Sequence, residues 1–141
     1  MRRDPSANWG LLILRVAVGV VFLMHGGQKL FVFGLPGVAG MLTTLGIPAP
    51  SVAAVVLSLV EFVGGALLVI GLFTRYAAAL IVIDMAVAIL KVHLPNGFFL
   101  PRGYEFPLIL LCACAALVLL GAGAWSIDGW VASGPGDARS E

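Results

Sequence analysis

The chain has 141 residues, a length suited to one domain, of which 61% are hydrophobic and only 11% charged, with a mean hydropathy of +1.10. That composition lies outside the soluble globular range and predicts an all-α membrane protein whose first partner is the lipid bilayer. The formal net charge of +1 leaves no basic patch to neutralise phosphates, and no nucleic-acid motif occurs, so nucleic acid is excluded as a partner.

In chain order, Arg2 and Arg3 precede an apolar run in the manner of a signal peptide. However, Arg15 interrupts the run and no small-x-small cleavage site closely follows Met24, so the first helix is expected to be retained. Four apolar segments approach the roughly 20 residues needed to span a bilayer: 9–33, 50–72, 75–94 and 104–121. The expected fold is therefore a four-transmembrane-helix bundle over residues 9–128, between a cytoplasmic N-terminus (1–8) and a polar C-terminal tail (129–141). Punctuation supports it: Pro48 and Pro50 precede the second segment, Gly71 ends it, Pro95-Asn96-Gly97 closes the third and Gly121-Ala122-Gly123 the fourth. In the first connection, Val38, Met41, Leu42 and Leu45 recur at i, i+3, i+4 and i+7, which suits a short interfacial helix, with a plain loop as the alternative. Arg2, Arg3 and Arg75 would share one side of a four-span chain, favouring both termini in the cytoplasm. Lys29, Lys91 and Arg102 would lie on the outer side, which weakens that vote unless the protein holds those charges for another purpose.

Ionisable groups within a spanning helix cost several kcal/mol unless they face the bundle interior and find partners. At 100° per residue Arg15, His25 and Lys29 fall within an arc of about 80°. Gly19, Phe22 and Gly26 occupy the same stripe, so one face combines donors with small residues that let another helix approach. Glu61, near the middle of the second segment and followed by Gly64 and Gly65, needs a proton or a cation, and Arg15 is the expected partner. Towards the outer side, His25 and Lys29 are expected to meet His93 and Glu105 in one polar cavity, so that Arg15, Lys29, Glu61 and Glu105 sum to zero charge. For Lys29 and Glu105, near helix ends, snorkelling to the interface is as good a reading. On a continuous helix wheel His93 lies about 180° from Asp84. This places Asp84 and Lys91, seven residues apart, as a pair on another face, at a homo-oligomer contact or against a neighbouring helix.

Phe98, Phe99, Tyr104 and Phe106 in the last outer loop read first as an interfacial aromatic belt. With His93 and Glu105 beside them they would also suit a flat, partly polar ligand such as a quinone. Two imidazoles and a carboxylate (His25, His93, Glu105) are a chemically reasonable ligand set, but no tight spacing supports a metal site and none is assigned. Cys112 and Cys114, at i and i+2, point about 200° apart and cannot bridge each other.

The segments "LRVAVGVVFLMHGGQKL", "LGIPAP", "EFVGGALLVIGLFTR", "MAVAILKVHLPNGFF", "GYEFPLILL" and "GAGAWSIDGW", in this order over residues 11–128, resemble the DoxX family of small four-helix bacterial membrane proteins. Each piece is weak alone and specific as a set. The resemblance carries Arg15, His25, Gly26, Lys29, Glu61, Gly65, Gly71, Arg75, His93, Glu105 and Asp128, and does not include Asp84 or Lys91. It implies redox chemistry at a membrane, as an oxidoreductase or as a subunit recruited by a soluble or membrane oxidoreductase. The ligand would be a quinone or a small sulfur species. In that reading Arg15 and Lys29 bind substrate, and His25, Glu61, His93 and Glu105 relay protons. Gly26, Gly64, Gly65 and Asp128 are structural. The chain has no intramembrane CxxC, so a reactive thiol would have to come from elsewhere. A small-solute or proton pathway and a scaffold for soluble enzymes are the alternatives.

Overall fold

In a computed structural model, residues 4–134 are described and are helical, with no strand among them. Helix α1 (Pro5–Gln28) passes through a π-helical turn (Lys29–Phe33) into α2 (Gly34–Thr44). Helix α3 (Pro50–Ile70) returns, and α4 (Thr74–Ala88) follows, widening into a second π-helical turn (Ile89–His93) and a short 3-10 turn (Leu94–Asn96). Helix α5 (Glu105–Leu120) and the short α6 (Ile127–Ser133) complete the chain. Arg2, Arg3 and the part of the expected tail from 135 onward lie outside the described residues.

Three segments are long and apolar enough to cross a membrane: Pro5–Thr44, Pro50–Ile70 and Thr74–Asn96. Glu105–Leu120 is a shorter apolar helix, about 24 Å long against a hydrocarbon thickness of about 30 Å. The first connection is helical rather than a plain loop. Its entry is bent at Gly34, whose φ of 70° is open to glycine at little cost, with Pro36 two residues on. Val38 and Leu42 of the expected apolar stripe bury against Ala54 of α3, while Met41 stays exposed.

The molecule is apolar outside and partly polar inside, as a lipid solvent favours. Ile13, Met24, Ile83, Ile109 and Leu119 are exposed, whereas Arg15, Ser58, Glu61 and Thr74 are among the most buried side chains. The central core brings together Val18 and Phe22 of α1, Leu68 of α3, Ala78 and Ile81 of α4 and Leu117 of α5.

Helix α1 packs antiparallel to α3 at backbone contact. A Cβ on Gly26 would lie 2.3 Å from the Phe62 nitrogen, one on Gly65 would lie 2.3 Å from the Leu23 nitrogen, and one on Gly19 would lie 2.8 Å from the Gly65 oxygen. The glycines thus set the register: Gly26 is level with Phe62, and Gly19 with Gly65 and Val69. Gly64 has a separate role, facing the Ile81 side chain of α4.

Candidate functional site

That register separates the charges of α1. Three residues past Gly26, Lys29 reaches Glu61, its Nζ 2.5 Å from Oε2, with the two side chains only 15% and 5% exposed. Arg15, one turn before Gly19, reaches the far end of α3 instead. Its Nη2 donates to the Trp125 carbonyl at 2.6 Å, and a Cβ on Gly71 would overlap Nη1. The expected Arg15–Glu61 pair is therefore replaced by Lys29–Glu61. Gly71 stands ten residues beyond Glu61, about 15 Å along the helix, too far for the guanidinium stem to close.

Arg15 belongs to a clasp at the end of the bundle where α1 starts and α3 stops. Asp128 supplies its nearby negative charge and also accepts from the Phe73 and Thr74 nitrogens at 2.8 and 2.9 Å, capping α4. Asn8 Oδ1 accepts from the Ala124 nitrogen, Ser126 caps α6, and Arg75 Nη1 donates to the Val118 carbonyl near the end of α5. Trp9 stacks on Trp125 with ring centroids 5.6 Å apart. These contacts tie the first half of α1 and the start of α6 to the connections between helices and leave Arg15 outside the cavity described next.

At the opposite half of the bundle is a cavity of about 700 Å³, bounded by α1, α2, α3, α4, the loop before α5 and the start of α5. Its wall is mostly apolar, with Phe22, Val38, Leu42, Met85, Phe106 and Leu110 among the lining side chains. The polar part comes from His25, Gln28, Lys29, Glu61, Asp84, Lys91 and His93. His25, Lys29, Glu61 and His93 were singled out as site residues from sequence, and they do share this cavity, His25 from an otherwise exposed position. Glu105 does not line it. Its Oε1 accepts from the Leu100 nitrogen at 2.6 Å and its own nitrogen donates to Phe98, so its carboxylate is engaged in fastening the loop. Of the four charges expected to balance in one cavity, Lys29 and Glu61 line it, and Arg15 and Glu105 do not.

Asp84 and Lys91, expected on another face, line this cavity too. The Asp84 carboxyl lies within hydrogen-bonding reach of Glu61 and close to Lys29, with Oδ2 buried and unpartnered. The separate Asp84–Lys91 face does not exist as expected, because the π-helical turn at Ile89–His93 inserts an extra residue into the turn. This cuts the angle between Asp84 and His93 from about 180° to about 80°, enough for both to border one cavity. His93 is held by Nδ1, which donates to the Arg102 carbonyl at 2.9 Å. Lys29 opens the other π-helical turn, so wide turns deliver cavity residues from two helices. Among the described residues no three His, Cys, Asp or Glu side chains converge as a metal site.

The DoxX family model matches residues 10–94, which contain all seven polar cavity residues. A Bacillus subtilis protein named "Putative oxidoreductase CatD" is 33% identical over 131 residues, covering 93% of each chain. A Mycobacterium tuberculosis protein named as an uncharacterized membrane protein is 35% identical over 129 residues, covering 84% of this chain and 78% of its own. "Inner membrane protein YphA" of Escherichia coli is 36% identical over 72 residues, covering 51% of this chain and 50% of its own. No solved structure matches the chain significantly. With the family model spanning more than half of the residues and a relative matched nearly end to end, this membrane protein belongs to the DoxX family.

Proposed function

We propose that the protein binds a membrane quinone in this cavity and takes part in its oxidation or reduction, as an oxidoreductase or as the membrane subunit of one. The observation that carries the reading is the pairing of a mostly apolar 700 Å³ cavity with a few converging ionisable groups. This is the composition of sites that hold a flat organic ligand and fix its polar end. A small sulfur anion would find little use for so much apolar wall, so quinone is preferred to a sulfur species. The packed core of Phe22, Ile81, Leu68 and Leu117 between the cavity and the Arg15 clasp supports a ligand site over a continuous solute pathway. A quinone takes up two electrons and two protons on reduction. His25, Glu61 and His93 supply proton-exchanging groups, and electrons come from a partner oxidoreductase, in keeping with the relative named "Putative oxidoreductase CatD". Lys29 orients Glu61 and presents positive charge to the ligand's carbonyl oxygen.

A photoreactive short-chain quinone tests this in protein reconstituted into nanodiscs. Saturable labelling of cavity peptides, competed by an unmodified quinone and reduced about tenfold or more in His25→Gln, is the expected result. Labelling that neither saturates nor is competed would overturn the reading.

In the same proposal α5 forms a fourth span, α2 lies at the outer interface, and the Arg15 clasp with both termini faces the cytoplasm of a bacterial inner membrane. Single cysteines introduced by Ser133→Cys or Asn96→Cys, after removal of Cys112 and Cys114, give the check. An impermeant thiol reagent applied to intact cells should modify the second and spare the first. The reverse pattern would invert the topology.

A further inference from the structure

The charges at the head of the cavity do not balance if every group is ionised. One buried ammonium, Lys29, faces two carboxyls, Glu61 from α3 and Asp84 from α4. Other groups around Asp84 do not close the count. Cys114 of α5 contributes a buried thiol and no cation. On its own helix, Lys91 is exposed and is not among the charges acting on Asp84, and the half-buried His93 is bonded to the Arg102 carbonyl. His25 on α1 is exposed. Two carboxyl groups within hydrogen-bonding reach also need a hydrogen between them, since two carboxylates are both acceptors. Asp84 Oδ2 is the buried oxygen without a partner.

We propose that Lys29, Glu61 and Asp84 form a proton-binding triad that holds one exchangeable proton between its two carboxyls and presents it to the cavity. The neutral set is one ammonium, one carboxylate and one carboxylic acid. Neutrality is what a low-dielectric site favours, and the proton belongs to the pair rather than to either residue. A ligand with a carbonyl oxygen finds there a hydrogen-bond donor that can become a proton donor. The charge count does not depend on which ligand enters, so the triad stands apart from the quinone reading.

Infrared spectroscopy of the ligand-free protein in nanodiscs reads the acid directly, as a carbonyl stretch that shifts in deuterated water. One protonated carboxyl is expected near neutral pH, and it should disappear as the pH rises. Asp84→Asn and Glu61→Gln should each abolish the band, because either leaves one carboxylate for one ammonium. Lys29→Met should instead increase it about twofold, since both carboxyls then need protons. Glu105→Gln should leave it unchanged. Asp84→Glu, which keeps the charge count, should retain the band and serves if the asparagine variant does not fold. Absence of the band in the native protein, or its persistence in both Asp84→Asn and Glu61→Gln, would overturn the triad. Failure of quinone labelling with the band behaving as described would remove the quinone reading alone.

Discussion

Gly26→Leu is expected to prevent stable assembly of α1 on α3. The position where a Cβ would sit is 2.3 Å from the Phe62 nitrogen and 2.6 Å from its Cα, so the obstacle is main chain, which cannot rotate aside. Ordinary overpacking by a methylene costs about 1–3 kcal/mol because side chains yield. Here the helices themselves must separate, disturbing Gly65 against Leu23 and Gly19 against Val69 in the same interface. The cost should exceed that range and appear as aggregated or unextractable protein. Gly27→Leu is the control, since its nearest neighbour is the edge of the Phe62 ring at 3.6 Å, which can shift. Equal melting temperatures for Gly26→Leu and the native protein in detergent would refute backbone-level packing here.

The sequence revealed the apolar segments, their Pro and Gly boundaries and the small-residue stripe, because each depends on local composition or on a single helical period. The positions of Gly26 and Lys29 on one face followed from the same period and hold in the fold, since α1 is regular as far as Gln28. Glu61 was legible as a buried acid needing a cation. Which cation it meets was not, because distance along a helix says nothing of the sliding register between two helices. That register is fixed by which glycines nest, and the Gly26–Phe62 contact brings Lys29 rather than Arg15 to Glu61.

Asp84 shows a different failure. The expectation that an intramembrane acid faces the interior was enough to nominate it. The uniform wheel then placed it opposite His93, since it presumes 100° at every step, and the π-helical turn at Ile89–His93 breaks that presumption. No Pro or Gly marks this turn, so it was invisible to punctuation as well. Glu105 was misassigned for a simpler reason. An acid at a helix start can serve a cavity or its own loop, and its bond to the Leu100 nitrogen decides for the loop.

Lys29→Met should be the most damaging single charge deletion in the protein, and Glu61→Gln should be milder. Removing one partner of a buried pair costs about 3–5 kcal/mol when it strands a charge. Lys29→Met removes the cation from both carboxyls, so the one that stays ionised in the native triad must also take up a proton to remain buried, and the variant's stability should recover as pH falls. Glu61→Gln strands nothing, because Lys29 still has Asp84 beside it. The double change Lys29→Met with Glu61→Gln leaves a single carboxyl to protonate and should lose less stability than the two single losses together. Arg15→Met with Glu61→Gln should instead be additive within about 0.5 kcal/mol, since Arg15 bonds to Trp125 at the far end of the bundle. Unfolding in mixed detergent micelles at two pH values measures all four. Additivity for Lys29 with Glu61, or coupling of more than about 1 kcal/mol between Arg15 and Glu61, would reverse the assignment of partners.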